Sequence, residues 1–279
     1  MGGRFEGWYY KHQTRDGILV LIPGRAADHA FVQVVTEQRA YYITYPLSAY
    51  QRGEVLKIGE NIFSSAGVRL SICHPELKLS GEIQYGALDA IRGDIMGPFR
   101  FFPMECRHGV HSMRHGLSGR VTLNGEVYDF TGGRGYIESD SGRSFPDGYA
   151  WVQCNDFADF SVMAAVAKIP FYGLRFWGHL CVVHLNGREY RLATYNGGKI
   201  LGVAQDSLEL KRGKFRLSVQ IAAGDGQSLP APRFGEMKHR IRESLSCWAR
   251  FRFTEDGKVL FEGESSCASY EYEMLDGGL

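Results

Sequence analysis

Gly119 to Phe130, GRVTLNGEVYDF, sets two strand-forming runs on either side of an Asn-Gly pair. Asn and Gly tolerate the positive φ that a two-residue hairpin turn requires, so the stretch reads as strand, tight turn, strand. The same punctuation recurs at Asp16-Gly17, Asn186-Gly187, Asn196-Gly197 and Asp256-Gly257, each beside runs rich in Val, Ile, Tyr and Phe. This pattern predicts an all-β chain. Glu236 to Leu245 is the best candidate for a helix, yet Met237, His239, Ile241, Glu243 and Leu245 alternate with Lys238, Arg240, Arg242 and Ser244. A period of two is a strand, and its basic side reads as a solvated outer face rather than a phosphate track.

The two halves of the chain repeat one another. Trp8 and Trp151 are separated by 143 positions, as are the apolar runs that begin at Ile18 and Ser161. Phe31–Val35 with Tyr41–Tyr45 resembles Leu180–Val183 with Tyr190–Tyr195, and Val68–Ile72 resembles Phe215–Val219. Each half closes on a hairpin, Arg120–Phe130 and Arg250–Phe261. Two tandem β-barrels or strongly bent sheets follow, residues 1–135 and 136–279, with a boundary near Tyr136.

Composition narrows the function. With 279 residues, 44% of them hydrophobic, the chain buries a sizeable core. Its 32 basic and 31 acidic residues leave a net charge of +1, so no whole-chain field draws it to nucleic acid or to an anionic membrane. The six cysteines contain no CxxC pair, and no apolar leader follows Met1, which reads as a reduced, cytoplasmic chain. Apolar runs such as Ile18–Pro23 and Ser161–Ala167 fall far short of a membrane span.

Chemistry concentrates in Gly135 to Phe157, GYIESDSGRSFPDGYAWVQCNDF. The expected domain joint falls here, and ligand pockets favour such joints and barrel mouths. Glu138 and Asp140 lie at i and i+2, on one face of a strand, and two neighbouring carboxyls can hold a proton near neutral pH. Trp8, Tyr10, Tyr149 and Trp151 supply aromatic faces, and Gln153 and Asn155 polar contacts. Two readings fit: a proton donor in an aromatic pocket, or carboxylates that satisfy turn amides beside aromatics filling barrel ends. A second cluster runs from Cys106 to His115. Zinc on His108, His111 and His115 would need a helix, but Gly109, Val110 and Gly116 favour strand and loop, so no metal is expected. His108 or His115 is instead suited to orienting a hydroxyl or relaying a proton. Gly132-Gly133-Arg134-Gly135 precedes no helix that would hold phosphate, and no G-x-S-x-G elbow surrounds Ser141 or Ser144.

Phe5-Glu6-Gly7-Trp8-Tyr9-Tyr10-Lys11, the stretch from Gly97-Pro98-Phe99 to Met104-Glu105, Ser112-Met113-Arg114-His115 and Gly135 to Phe157 together resemble the tocopherol cyclase family, particularly its bacterial members. The resemblance spans nearly the whole chain. It implies two lipocalin-like β domains with a ligand cleft at or near their junction, as in carotenoid hydratases. It also implies cofactor-independent cyclisation: an acid protonates the prenyl double bond of a hydroquinone, and the phenolic oxygen captures the cation. Glu138, Asp140, Gly142, Phe145, Pro146, Trp151, Gln153 and Asn155 match the family's pattern, while Ser139 and Ser141 stand where a lysine and a tryptophan are usual. On this reading Glu138 or Asp140 is the donor and His108 or His115 the phenol partner. Glu6, Trp8, Tyr10, Tyr149, Trp151, Gln153 and Asn155 bind the substrate, a prenylated phenol or other isoprenoid. A lipophile carrier without turnover and an isoprenoid hydratase or isomerase are the alternatives. Peripheral contact with a membrane remains compatible with all three.

Overall fold

Two antiparallel sheets account for almost all of the chain in a computed structural model that describes residues 3–171 and 173–273. The first contains β1 (Phe5–Thr14), β2 (Gly17–Arg25), β3 (Ala30–Thr36), β4 (Ala40–Tyr45), β5 (Tyr50–Arg52), β6 (Leu56–Ile58), β7 (Asn61–Phe63), β8 (Gly67–Cys73), β9 (Lys78–Tyr85), β10 (Cys106–Leu123), β11 (Glu126–Asp129) and β12 (Arg134–Gly142). The second contains β13 (Tyr149–Cys154), β14 (Phe160–Phe171), β15 (Leu174–Leu185), β16 (Arg188–Arg191), β17 (Lys199–Ala204), β18 (Ser207–Arg212), β19 (Phe215–Ala222), β20 (Gln227–Arg233), β21 (Glu236–Glu255) and β22 (Lys258–Glu273). No α-helix occurs among the described residues. Each sheet is an open path rather than a closed barrel.

The path of the first sheet is β4-β3-β2-β1-β12-β10-β9-β8-β7-β6-β5, and that of the second is β16-β15-β14-β13-β22-β21-β19-β18-β17. The repeat seen in the sequence is therefore a repeat of topology, with β1–β4 answered by β13–β16. One matched pair shifts. Val68–Ile72 lies in β8, whose place in the second sheet is held by β18, whereas Phe215–Val219 lies in β19, the counterpart of β9. Alternating strands of similar composition align equally well one hairpin out of step. The closing hairpins do correspond, β22 doing in one continuous strand what β11 and β12 do in two.

Three of the five marked pairs form the expected turn; at Asp16-Gly17 the chain does make the β1–β2 hairpin, but Gly17 is already in β2, paired with Thr14. Asn124-Gly125, Asn186-Gly187 and Asp256-Gly257 all take positive φ at both positions and join neighbouring strands. Asn196-Gly197 instead ends a 3-10 turn, Thr194–Asn196, and connects β16 to β17 at the far end of the path. There the Asn196 side-chain carbonyl accepts a hydrogen bond from the Ala193 amide at 3.0 Å, which closes a capped turn rather than a hairpin. Glu236 to Leu245 is strand, and Lys238, Arg240 and Arg242 are exposed.

The chain divides into two compact units. The first holds Met1–Ala90, His108–Ser144 and Leu229–Arg240, and the second holds Ile91–Arg107, Phe145–Ser228 and Ile241–Leu279. In the first unit the tip of the β20–β21 hairpin is pinned by main-chain bonds: Gly235 N–H donates to Arg143 O at 2.6 Å and Ala27 N–H to Gly235 O at 2.8 Å. In the second unit Arg191 donates to the carbonyls of Asp94 and Arg92 at 2.7 and 2.8 Å. β12 crosses position 136 without a break and pairs along its whole length with β1, from Gln13↔Arg134 to Phe5↔Gly142.

Each unit has its own apolar core. Leu19, Leu21, Val32, Val34, Phe63, Ile83 and Ile137 are among the residues that build the first. Val152, Phe160, Val162, Val183, Leu217, Phe251 and Phe253 belong to the second. In the second, Phe160 and Phe261 stack at 3.9 Å, with Phe157 edge-on to Phe261 at 4.9 Å. No two cysteines of the described residues form a disulfide, so burial rather than cross-linking holds these sheets. Phe251→Ala should lower the unfolding free energy by about 3–5 kcal/mol in urea titrations, against about 0.5 kcal/mol or less for Val127→Ala on the exposed β11.

Candidate functional site

β12 lies between β1 and β10, and side-chain alternation gives it two chemically different faces. Tyr136, Glu138 and Asp140 share one; Gly135, Ile137, Ser139 and Ser141 share the other. Register with β1 places Lys11, Tyr9 and Gly7 beside the first set, and His12, Tyr10, Trp8 and Glu6 beside the second. The second face is the inner one, since Ile137 and Tyr10 belong to the apolar core and Trp8 packs against it.

On the first face four side chains form a chain of polar contacts. Tyr136 donates its hydroxyl to Glu138 Oε2 at 2.5 Å. Glu138 Oε2 lies 3.5 Å from His108 Nε2, and His108 Nδ1 lies 3.0 Å from Asp140 Oδ1. Tyr136 and Glu138 are buried, while the Asp140 side chain is 23% exposed, so the chain runs from the interior outward. Burial, and then the Glu138 charge, hold the Tyr136 hydroxyl well above its ordinary pKa, so Tyr136 stays a donor. His108 thus lies between two carboxyls, which places an imidazole within reach of both. Lys11, almost fully buried, sits opposite Tyr136 on this face. The ligand atoms of His108, Glu138 and Asp140 also lie within 4.8 Å of one another, a donor set that suits a divalent ion.

The inner face carries a separate network. Ser139 Oγ lies 2.8 Å from His111 Nε2, and the Trp8 ring stacks on His111 at 4.5 Å. Arg52 sits 5.7 Å above Trp8 and also pairs with Glu6, which accepts a further bond from Tyr50 at 3.1 Å and lies 3.6 Å from Arg25. Deeper, His12 Nδ1 meets Leu19 O at 3.1 Å, which requires a hydrogen on Nδ1 and leaves Nε2 to accept from Tyr85 at 2.7 Å. His115 bonds Ser112 at 2.9 Å and packs its ring 4.5 Å from Tyr85. Gly135 is required here: a Cβ would fall 2.1 Å from the His115 ring. Desolvation pushes His12 down to about 3 and His115 down to about 4, so both are neutral.

The residues singled out from the sequence thus fall into three groups. Glu138, Asp140 and His108 come together. His115, Trp8, Tyr10 and Glu6 turn to the other side of the same strands, because His108 and His115 have opposite parity along β10. Tyr149, Trp151 and Gln153 belong to the second unit, on the face of β13 turned away from the core that holds Val152 and Cys154. Tyr149 donates to Glu271 Oε2 at 2.6 Å, and Trp151, Gln153 and Asn155 are buried. His111 and His115 do not join His108, so the three histidines make no common metal centre. Tyr136 and Lys11 escaped the sequence reading, although Tyr136 stands two residues before Glu138 on an alternating strand.

Two open antiparallel sheets of matched topology, one carrying a carboxyl–imidazole–carboxyl contact chain between β12 and β10, define a lipocalin-like architecture. A family profile described as tocopherol cyclase-like matches residues 47–272, and the chain belongs to that family. Kievitone hydratase from Nectria haematococca shares the fold, with a TM-score of 0.56 at 13% identity over 99% of this chain and 90% of that one. CghA in complex with Sch210972 superposes with a TM-score of 0.61 at 9% identity, over 98% of this chain and 89% of that one.

The buried histidines make stability depend on pH. Their folded pKa values lie below the ordinary value near 6.5, so their contribution is complete above that pH and is lost as the pH falls toward about 4. Urea unfolding between pH 7 and pH 4.5 should lose up to about 1.4 kcal/mol per pH unit for each histidine, and His115→Asn should flatten the slope by about one proton.

Proposed function

We propose that the chain is an acid–base catalyst acting on a prenylated phenol or related isoprenoid, and that its reaction is cyclisation by alkene protonation. The observation that carries this reading is the Tyr136–Glu138–His108–Asp140 chain, buried at one end and reaching solvent at the other. The carboxyl at the Asp140 end delivers a proton to the prenyl double bond, leaving a tertiary cation. The phenol oxygen attacks that cation, forming the new C–O bond, and its proton passes to His108. His108 returns a proton to the carboxyl pair, so the cycle closes as an isomerisation with no net change in atoms or electrons. Tyr136 holds Glu138 in place through its hydroxyl.

Hydration shares the first step, with water in place of the phenol oxygen, and kievitone hydratase has this fold. Incubation with prenyl hydroquinones of several chain lengths separates the outcomes. An isomeric product supports cyclisation, and a mass gain of one water supports hydration. Glu138→Gln, Asp140→Asn and His108→Gln should each lower turnover by about 10²–10⁴-fold, with Tyr136→Phe costing about tenfold. Substrates that quench tryptophan fluorescence but are never converted would replace catalysis with carriage.

A further inference from the structure

A metal centre on His108, His111 and His115 fails by strand parity, yet one of these histidines meets two carboxyls. His108 Nδ1 lies 3.0 Å from Asp140 Oδ1, and His108 Nε2 lies 3.5 Å from Glu138 Oε2. One donor atom can be taken from each of the three so that none is more than 4.8 Å from another. All three side chains are largely withdrawn from water: Glu138 is 7% exposed, His108 13% and Asp140 23%. They stand on β10 and β12, neighbouring strands of the first unit, and the two carboxyls share a face of β12 at i and i+2.

Spacing and donor type together select the ion. Donors around a tetrahedral zinc at about 2.1 Å stand about 3.4 Å apart, so the widest pair of this set closes on an ion by at most about 1.4 Å, within the reach of carboxylate torsions. One imidazole nitrogen with two carboxylate oxygens suits zinc, whereas magnesium and calcium favour shells of oxygen alone. The two charges of the ion match those of the two carboxylates, and three protein ligands leave a fourth position to water. The buried Tyr136 donates its hydroxyl to Glu138 Oε2 at 2.5 Å, the kind of outer-shell bond that orients a ligating carboxylate.

We infer that His108, Glu138 and Asp140 form a binding site for a single zinc ion. The site goes beyond the reaction proposed above and holds whether or not the chain turns over a prenylated phenol. Zinc takes the carboxylate and imidazole lone pairs that proton transfer uses, so it should arrest that reaction rather than drive it.

Titration of the chelator-stripped full chain with zinc, in competition with a chromophoric indicator and without any substrate, tests this. One zinc should bind per chain, and excess magnesium should leave it in place. His108→Gln, Glu138→Gln and Asp140→Asn should each weaken binding by about 100-fold or more, and Tyr136→Phe by about tenfold. Asp140→Asn, at the outer end of the cluster, is the mildest of these changes to the fold, and its circular dichroism spectrum should match that of the wild-type chain. Cobalt in place of zinc should give the visible absorption of a four-coordinate ion in the wild-type chain and lose it in Asp140→Asn. His29→Asn removes an imidazole bonded to Asp28 at 2.6 Å and should leave the affinity unchanged. Absence of zinc binding by the wild-type chain overturns the inference, as does binding of full strength in the folded Asp140→Asn variant or its loss in His29→Asn. A chain that binds zinc and converts no substrate sinks the proposed reaction and leaves this site standing.

Discussion

Burial of both faces of β12 over Gly135–Glu138 is the constraint on which the candidate site depends. A polar side chain on a strand with one wet face simply points to water. On β12 it has to find a partner inside the protein, because an unpaired buried carboxylate or imidazole costs several kcal/mol. Glu138 finds Tyr136 along its own strand and His108 across to β10; Ser139, on the other face, finds His111. The polar groups of β10 and β12 are thereby sorted by parity into two networks that do not mix. Neither would persist on an edge strand, where solvent competes for every bond.

That sorting also decides which chemistry each side supports. The inner network is locked: His12 has its tautomer fixed by the Leu19 carbonyl, and desolvation keeps both His12 and His115 neutral. The outer network differs in composition, since its one histidine lies between two carboxyls, 3.0 Å from Asp140 and 3.5 Å from Glu138. The difference is one of composition on two sides of one strand, not of distance along the chain.

The fold was legible because hairpin chemistry is local: Asn-Gly and Asp-Gly between alternating strands admit few other conformations, and three such pairs appear as turns with positive φ. Asn196-Gly197 misled for the same reason, since the local signal says only that the chain turns and not which strand it turns toward. Within the site, Glu138 and Asp140 were legible from i, i+2 spacing. Their partner was harder, because strand spacing separates His108 from His115 by parity only once the strand is known to run unbroken from Cys106 to Leu123. Tyr136 and Lys11 went unseen because tyrosine and lysine on a strand usually mark packing or a wet face. Only the register Lys11↔Tyr136 and the burial of both give them a role.

The departures from the family pattern at Ser139 and Ser141 take on a definite meaning from this geometry. Both serines lie on the inner face, opposite Trp8 and Glu6 in register, and so point away from Glu138 and Asp140. Serine for lysine at 139 therefore leaves the acid cluster untouched and changes the surroundings of Trp8 and His111. A lysine at that position would bring a cation against the indole that Arg52 already faces, and would remove the hydroxyl that His111 bonds. The two departures thus fall together on the inner face, away from Glu138 and Asp140.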